Sequence, residues 1–159
     1  MTQTPNIDKD YRLWVLLQQT SDILFEIRET ELREDGLTAM HAAALLVIKT
    51  IGDKATPAEI ARWMVRKPHS ISGLLSRMEK AKLIKRTKDL HRKNLVRVSM
   101  TEKGEEAYRL AMKRKVLQKI ISSLSAEQHK QLVSCLEVLR NSGLKEMGIE
   151  PRKLPFPQI

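Results

Sequence analysis

"ARWMVRKPHSISGLLSRMEKAKLIKRTKDLHRKNLVRVSMTEKG", Ala61 to Gly104, joins a helical apolar pattern, a cluster of hydroxyls and a run of Lys and Arg. In its first half Ile71, Leu74, Leu75 and Met78 recur at i, i+3, i+4 and i+7, which is one face of an α-helix. Pro68 suits a first helical turn, so the spacing predicts a helix from near His69 to Ala81. In its second half the period becomes two. Val96, Val98 and Met100 alternate with Arg97 and Ser99 in "LVRVSM", the pattern of a strand with one face covered. "LIKRTK" is its partner strand, and the polar "DLHRKN" joins the two as a hairpin with a basic tip.

Working outward from this stretch, "TPAE", Thr56 to Glu59, is a capping box with Pro57 at the first helical position. It starts a short helix to about Val65. Upstream, Leu13, Leu16, Leu17, Ile23, Leu24 and Ile27 recur at helical spacing, giving a helix from Tyr11 to about Glu34. Asp8 and Asp10 favour its start through the helix dipole, and Gly36 ends it. Thr38 caps a second helix that runs to Gly52. Downstream, Thr101 caps one long helix with Glu102, Glu105 and Glu106 in its first turn and Tyr108, Ala111, Leu117, Ile120 and Ile121 along it. "SAEQ", Ser125 to Gln128, caps a last helix to about Asn141, with Gly143 as its C-cap. The tail from Pro151, "PRKLPFPQI", has three prolines and no period, so it is expected to be extended or disordered.

A short helix and turn leading into a second helix is a helix-turn-helix, and the hairpin after it makes a winged helix. The expected fold is mostly α with a small β-hairpin wing, flanked by N- and C-terminal dimerisation helices. The expected division is an arm over residues 1–37, the winged helix-turn-helix over 38–104, C-terminal helices over 105–143 and a tail over 144–159, forming one compact unit.

Charge separates along the same lines. Residues 54–103 hold 14 Lys and Arg against 4 Asp and Glu, a balance of +10, which equals the net charge of the whole chain. Residues 1–53 hold 5 against 9, and residues 104–159 hold 10 against 6. Charge spread for solubility does not segregate this way, so the middle third points to a polyanionic partner.

On the helix from His69, the side opposite the apolar face carries His69, Gly73, Ser76 and Lys80, with Ser70, Ser72 and Arg77 flanking it and Lys67 just ahead. Short hydroxyls let a helix approach closely and bond to base edges or phosphates. Gly73 costs about 1 kcal/mol of helix propensity against Ala, which a close approach to a nucleic-acid backbone would compensate. The plainer alternative is an exposed polar face. In the hairpin, Lys88, Arg92, Lys93 and Arg97 are candidate phosphate contacts, either arginine also suits a minor groove, and Asn94 suits either a groove contact or the turn. Arg77 has a second reading, as an ion-pair partner of Asp89 at the hairpin base. The plainer reading of the hairpin is a solvated loop.

The stretch from about Thr56 to Gly104 resembles the winged-helix MarR family of transcription regulators, on "AEIARWMVRKPHSISGLLSRMEKAKLIKR", an Asp with a basic turn, and "LVRVSMTEKG". The resemblance implies a homodimer on a near-palindromic operator, built through the terminal helices, and in many members release by a small, often aromatic, effector. Two departures stand out. The family's wing tip usually has Asp followed by Arg where this chain has Arg92 and Lys93, and Val65 stands where many helix-turn-helix turns have glycine.

Arms of this length on a small winged helix need covering. The expected dimer interface is Leu13, Leu16 and Leu17 on the first helix with Leu117, Ile121, Leu132, Leu136 and Leu139 on the later ones. Catalysis finds no support. The four histidines, His41, His69, His91 and His129, lie in four different elements, without metal-ligand spacing, and no phosphate-cradling glycine loop is present. No cofactor and no metal are expected, and no enzyme activity. Cys135 is expected as a small buried hydrophobe rather than a redox thiol. One cysteine, no signal-peptide pattern and no stretch of about 20 apolar residues predict a cytoplasmic protein without a membrane partner. The expected partners are double-stranded DNA, a second copy of the chain and a small effector. The competing function is a winged helix that binds protein rather than specific DNA.

Overall fold

Each hydroxyl expected at a helix start accepts a backbone N–H there. The computed structural model describes residues 8–151. The Asp8 carboxylate accepts the N–H groups of Asp10 and Tyr11, both at 2.9 Å, and starts α1, Lys9–Arg33. Thr38 accepts the His41 N–H at 3.1 Å and starts α2, Ala39–Ile51. A 3-10 turn, Gly52–Lys54, was not foreseen and leads to α3, Pro57–Trp63. Thr56 accepts the Glu59 N–H at 3.2 Å, while the Glu59 carboxylate turns to Arg62 at 2.7 Å, so only half of that capping box forms. Then come α4, Pro68–Lys80, β1, Ile84–Lys88, and β2, Val96–Met100. Thr101 accepts the Gly104 N–H at 3.0 Å at the head of α5, Glu102–Ala111. After α6, Lys115–Ile121, the reciprocal Ser125–Gln128 box opens α7, Ala126–Glu146.

The hairpin is antiparallel, pairing Ile84 with Met100 and Lys88 with Val96. Val98 is its buried centre, and the Val98 N–H donates to the Ala55 carbonyl at 2.9 Å, fastening the sheet to the end of the 3-10 turn. The core gathers Leu45 and Ile48 of α2, Ile60 of α3, the four apolar residues of α4, Ile84 and Val98. Burying Ile71, Leu74, Leu75 and Met78 stabilises α4 by about 6–12 kcal/mol at most. That far exceeds what a cap would add, which fits a helix whose N-cap, Lys67, makes no side-chain cap bond. Gly104 is required by packing. A Cβ there would lie 1.9 Å from the Leu83 carbonyl oxygen, so no other residue lets α5 sit this close to the head of β1.

Four expectations are corrected. The single long helix after Thr101 is two, because Arg114 takes a left-handed φ of 42°. The break is held from α1. The Arg28 guanidinium donates to the Ala111 carbonyl at the end of α5, and the Glu31 carboxylate accepts the Val116 N–H at 3.0 Å in the first turn of α6. Arg28 and Glu31 also pair with each other at 2.7 Å. Burial works against charge on Glu31, but those donors hold its pKa below the ordinary value. Second, α7 passes through Gly143 to Glu146, and Gly148 with φ 72° takes the role given to Gly143. The boundary expected at residue 143 therefore falls inside a helix whose one buried residue is Leu144. Residues 152–159, most of the expected tail, lie outside the described residues. Third, Cys135 is exposed, because the face of α7 that bears Leu132, Leu136 and Leu139 is not covered by the other described residues. Fourth, Asp89 pairs with Arg97, not with Arg77, as described below. Among the described residues no helix is long and apolar enough to cross a membrane.

Candidate nucleic-acid interface

The α4 helix presents its polar side as the sequence periodicity requires, since its apolar side is fixed in the core. Lys67, His69, Ser70, Ser72, Arg77 and Lys80 are exposed, and Gly73 and Ser76 are half-buried. A Cβ on Gly73 would meet only the Arg77 guanidinium, at an ordinary 3.5 Å, so packing within the chain does not demand glycine there.

The turn into α4 is tight. Val65 has φ 51°, a left-handed conformation that costs a β-branched residue about 1–3 kcal/mol. It is the position where glycine was missed in the sequence. The Arg66 N–H donates to the Ala61 carbonyl at 3.0 Å and the Val65 N–H to the Arg62 carbonyl at 3.1 Å, which close the turn despite the residue type.

One ion pair sets the hairpin against this helix, and a second lies within the hairpin. Arg86 of β1 reaches Glu79 of α4 at 2.6 Å, with a further contact to the Ser76 hydroxyl at 3.4 Å. Arg86 also donates its N–H to Glu79 at 3.1 Å, and these bonds hold the Glu79 carboxyl below the usual range. Arg97 of β2 donates through Nε to Asp89 at 2.8 Å and through a terminal nitrogen to the Lys54 carbonyl at 3.1 Å. Asp89 also accepts the N–H groups of His91 at 2.8 Å and Arg92 at 3.0 Å. The His91 N–H and the Arg97 guanidinium together hold its pKa below the ordinary 3.8. A carboxylate thus organises the hairpin turn even though the family's tip Asp is replaced by Arg92.

Lys88, Arg92, Lys93 and Asn94 are exposed around that turn, whereas Arg97 is half-buried with Nε and one terminal nitrogen engaged. The structure therefore exposes six of the eight helix candidates and four of the five hairpin candidates, leaves Gly73 and Ser76 half-buried, and gives Arg97 an internal task. Sequence reasoning missed Arg86, whose partner Glu79 lies seven residues back across a turn, beyond the helical pair spacing that would flag it. It also missed Leu90, 95% exposed at the hairpin tip.

His41 on α2 has its Nδ1 buried without a hydrogen-bond partner. Burial and the nearby Arg77 charge push its pKa below 6.5, against a smaller opposing pull from Glu29. Among the described residues no group of three or more His, Cys, Asp or Glu is placed to hold a metal ion.

The family model that matches residues 35–93 is that of the MarR family. No match is found among the curated proteins. Among solved structures, the organohalide-sensing RdhR-CbdbA1625 transcriptional regulator in its 2,4-dichlorophenol-bound form is 32% identical, with a TM-score of 0.82 over 91% of this chain and 89% of that one. Its ligand-free form is 30% identical, with a TM-score of 0.85 over 100% and 98%. A mutant of the E. coli protein MarR complexed with operator DNA shares the fold at 16% identity, with a TM-score of 0.78 over 86% and 99%.

Proposed function

The chain belongs to the MarR family of transcription regulators, and from that premise we propose that it is a repressor which binds a near-palindromic operator as a homodimer and releases it on binding a small effector. The observation that carries the DNA reading is the exposed polar side of α4 beside a hairpin whose basic tip is organised from within. Lys67 and Lys80 on the helix, and Lys88, Arg92 and Lys93 on the hairpin, are exposed cations. A helix of this kind fits the major groove, and a basic hairpin beside it follows phosphates. In this reading Ser72 and Ser76 face base edges, and Gly73 lets the helix approach closely. The Glu79–Arg86 pair fastens the hairpin to the helix and the Asp89–Arg97 pair shapes the hairpin turn, so that both engage one duplex.

The dimer is supported by the two long helices. The 25 residues of α1 bury Leu32 and the 21 residues of α7 bury Leu144, one each. Leu13, Leu16, Leu132, Leu136 and Leu139 are each 42–60% exposed, and Ile121 is 37% exposed. Helices of such length need a partner for their apolar sides. An effector is supported by the 32% identical relative, whose structure holds 2,4-dichlorophenol.

Binding to random duplex across a salt series tests the reading. The account predicts affinity that falls steeply with salt, with a log–log slope of about 0.9 per phosphate neutralised. A salt-independent or absent interaction would favour the protein-binding alternative.

A further inference from the structure

The Arg86 guanidinium does more than join β1 to α4. Glu79 accepts its Nε at 2.9 Å and its Nη2 at 2.6 Å, and the Arg86 backbone N–H at 3.1 Å, so the side chain is fixed at its far end as well as at its root. Nη2 of that fixed group lies 3.4 Å from the Ser76 hydroxyl oxygen. Ser76 shares one side of α4 with Ser72, Gly73 and Lys80, each three or four residues away. We propose that Arg86 is a positioning residue which makes the Ser76 hydroxyl a hydrogen-bond donor toward the duplex, so that Ser76 selects a purine through its N7 acceptor and rejects the cytosine amino group. The inference rests on the DNA-binding reading above and assigns one of its base contacts.

A free serine hydroxyl carries one donor and two acceptor lone pairs, and it rotates to suit either kind of partner. Beside a fixed cation that freedom is lost. The oxygen turns to the guanidinium, the O–H points away from it, and a second donor approaching the same oxygen meets positive charge. At 3.4 Å the contact is long for a hydrogen bond, so the orienting force is chiefly that of charge on dipole. Among the described residues the Ser76 hydroxyl donates to no acceptor, which leaves its proton for a ligand. N7 is the acceptor that both purines present in the major groove, whereas cytosine presents a donor there. Gly73 supplies the access. Ser76 is half-buried and short, so a base edge reaches it only when the helix sits deep in the groove, and the glycine three residues before it has no side chain to hold the duplex off. Packing within the chain does not demand that glycine, since a Cβ there meets only the Arg77 guanidinium, at 3.5 Å.

Base-analogue scanning tests the assignment on a duplex enriched from a random pool by the wild-type protein. Each purine is replaced in turn by its 7-deaza analogue, which keeps Watson–Crick pairing and lacks N7, and the ratio of natural to analogue affinity is read. At one position of each half-site the wild type should lose about three- to tenfold, the worth of one hydrogen bond. That penalty should vanish in Ser76→Ala and shrink in Arg86→Ala, and Arg86→Lys, which keeps a cation beside the hydroxyl, should restore part of it. Arg86→Ala also loosens the hairpin and lowers affinity for every duplex alike, but such a loss cancels in the ratio. Glu79→Gln is the second variant: it frees the guanidinium without removing it and should shrink the same penalty. Penalties equal in the wild type and Ser76→Ala at every position overturn the contact. A penalty at the Ser76 position that Arg86→Ala and Glu79→Gln both keep in full overturns the positioning role. A wild-type protein that enriches no duplex defeats the DNA-binding reading and this assignment with it, whereas enrichment with penalties independent of Ser76 defeats the assignment alone.

Discussion

At Gly73 stability and binding are expected to part. Glycine inside α4 costs about 1 kcal/mol relative to Ala, and the space around it accepts a Cβ at ordinary contact. Gly73→Ala should therefore raise the unfolding free energy by about that amount while weakening duplex binding. Urea unfolding and fluorescence anisotropy on one preparation check both halves, and a variant that gains stability and keeps full affinity removes the close approach at this position. His41 makes a different prediction. Its folded-state pKa lies below 6.5, so the native protein binds fewer protons than the unfolded chain just under that pH. The sign follows: the contribution is fully present above pH 6.5 and is lost as pH falls toward the lowered value. The urea midpoint should drop with pH in that window, and His41→Asn should flatten the dependence. The first effect was only partly readable in sequence and the second not at all. The glycine was visible, but whether anything pressed on it was not, and a lone histidine on an apolar face does not disclose its burial.

Elements divide according to how local their causes are. Capping by Thr38, Thr56, Thr101 and Ser125 was legible because donor and acceptor lie within three residues, and the alternation of β2 was legible because it records one buried face. The break between α5 and α6 was not, because Arg28 and Glu31 impose it from 83 and 85 residues away. The same limit hid the task of Arg97. Its neighbours suggested a phosphate contact, and the fold adds Asp89 and the Lys54 carbonyl as partners for two of its nitrogens. Arg97→Ala and Asp89→Asn should then act through one interaction, each loosening the wing and lowering affinity for every sequence, with a double variant little worse than either single one. Lys93→Ala should instead reduce the salt slope by about one phosphate and leave the wing's backbone amide exchange unchanged. Additive losses for Arg97→Ala and Asp89→Asn would show that Arg97 meets DNA itself.

Across the whole molecule, the proposed function makes one device of the basic middle and the uncovered arms, with apolar helices holding two binding units at a fixed spacing. Placing Asp at Leu16 and at Leu136 together should give folded monomers whose operator affinity falls by far more than that of random duplex, since two half-sites would no longer be engaged at once. A folded dimer by light scattering after both substitutions would place the interface elsewhere. The central claim, a two-fold symmetric reader of duplex DNA, meets its most direct test in selection of bound sequences from a random duplex pool with the wild-type protein. The account predicts an enriched inverted repeat whose half-sites are centred about one helical turn, 10–10.5 base pairs, apart. A pool that stays random after selection, or yields a single site without two-fold symmetry, would contradict it.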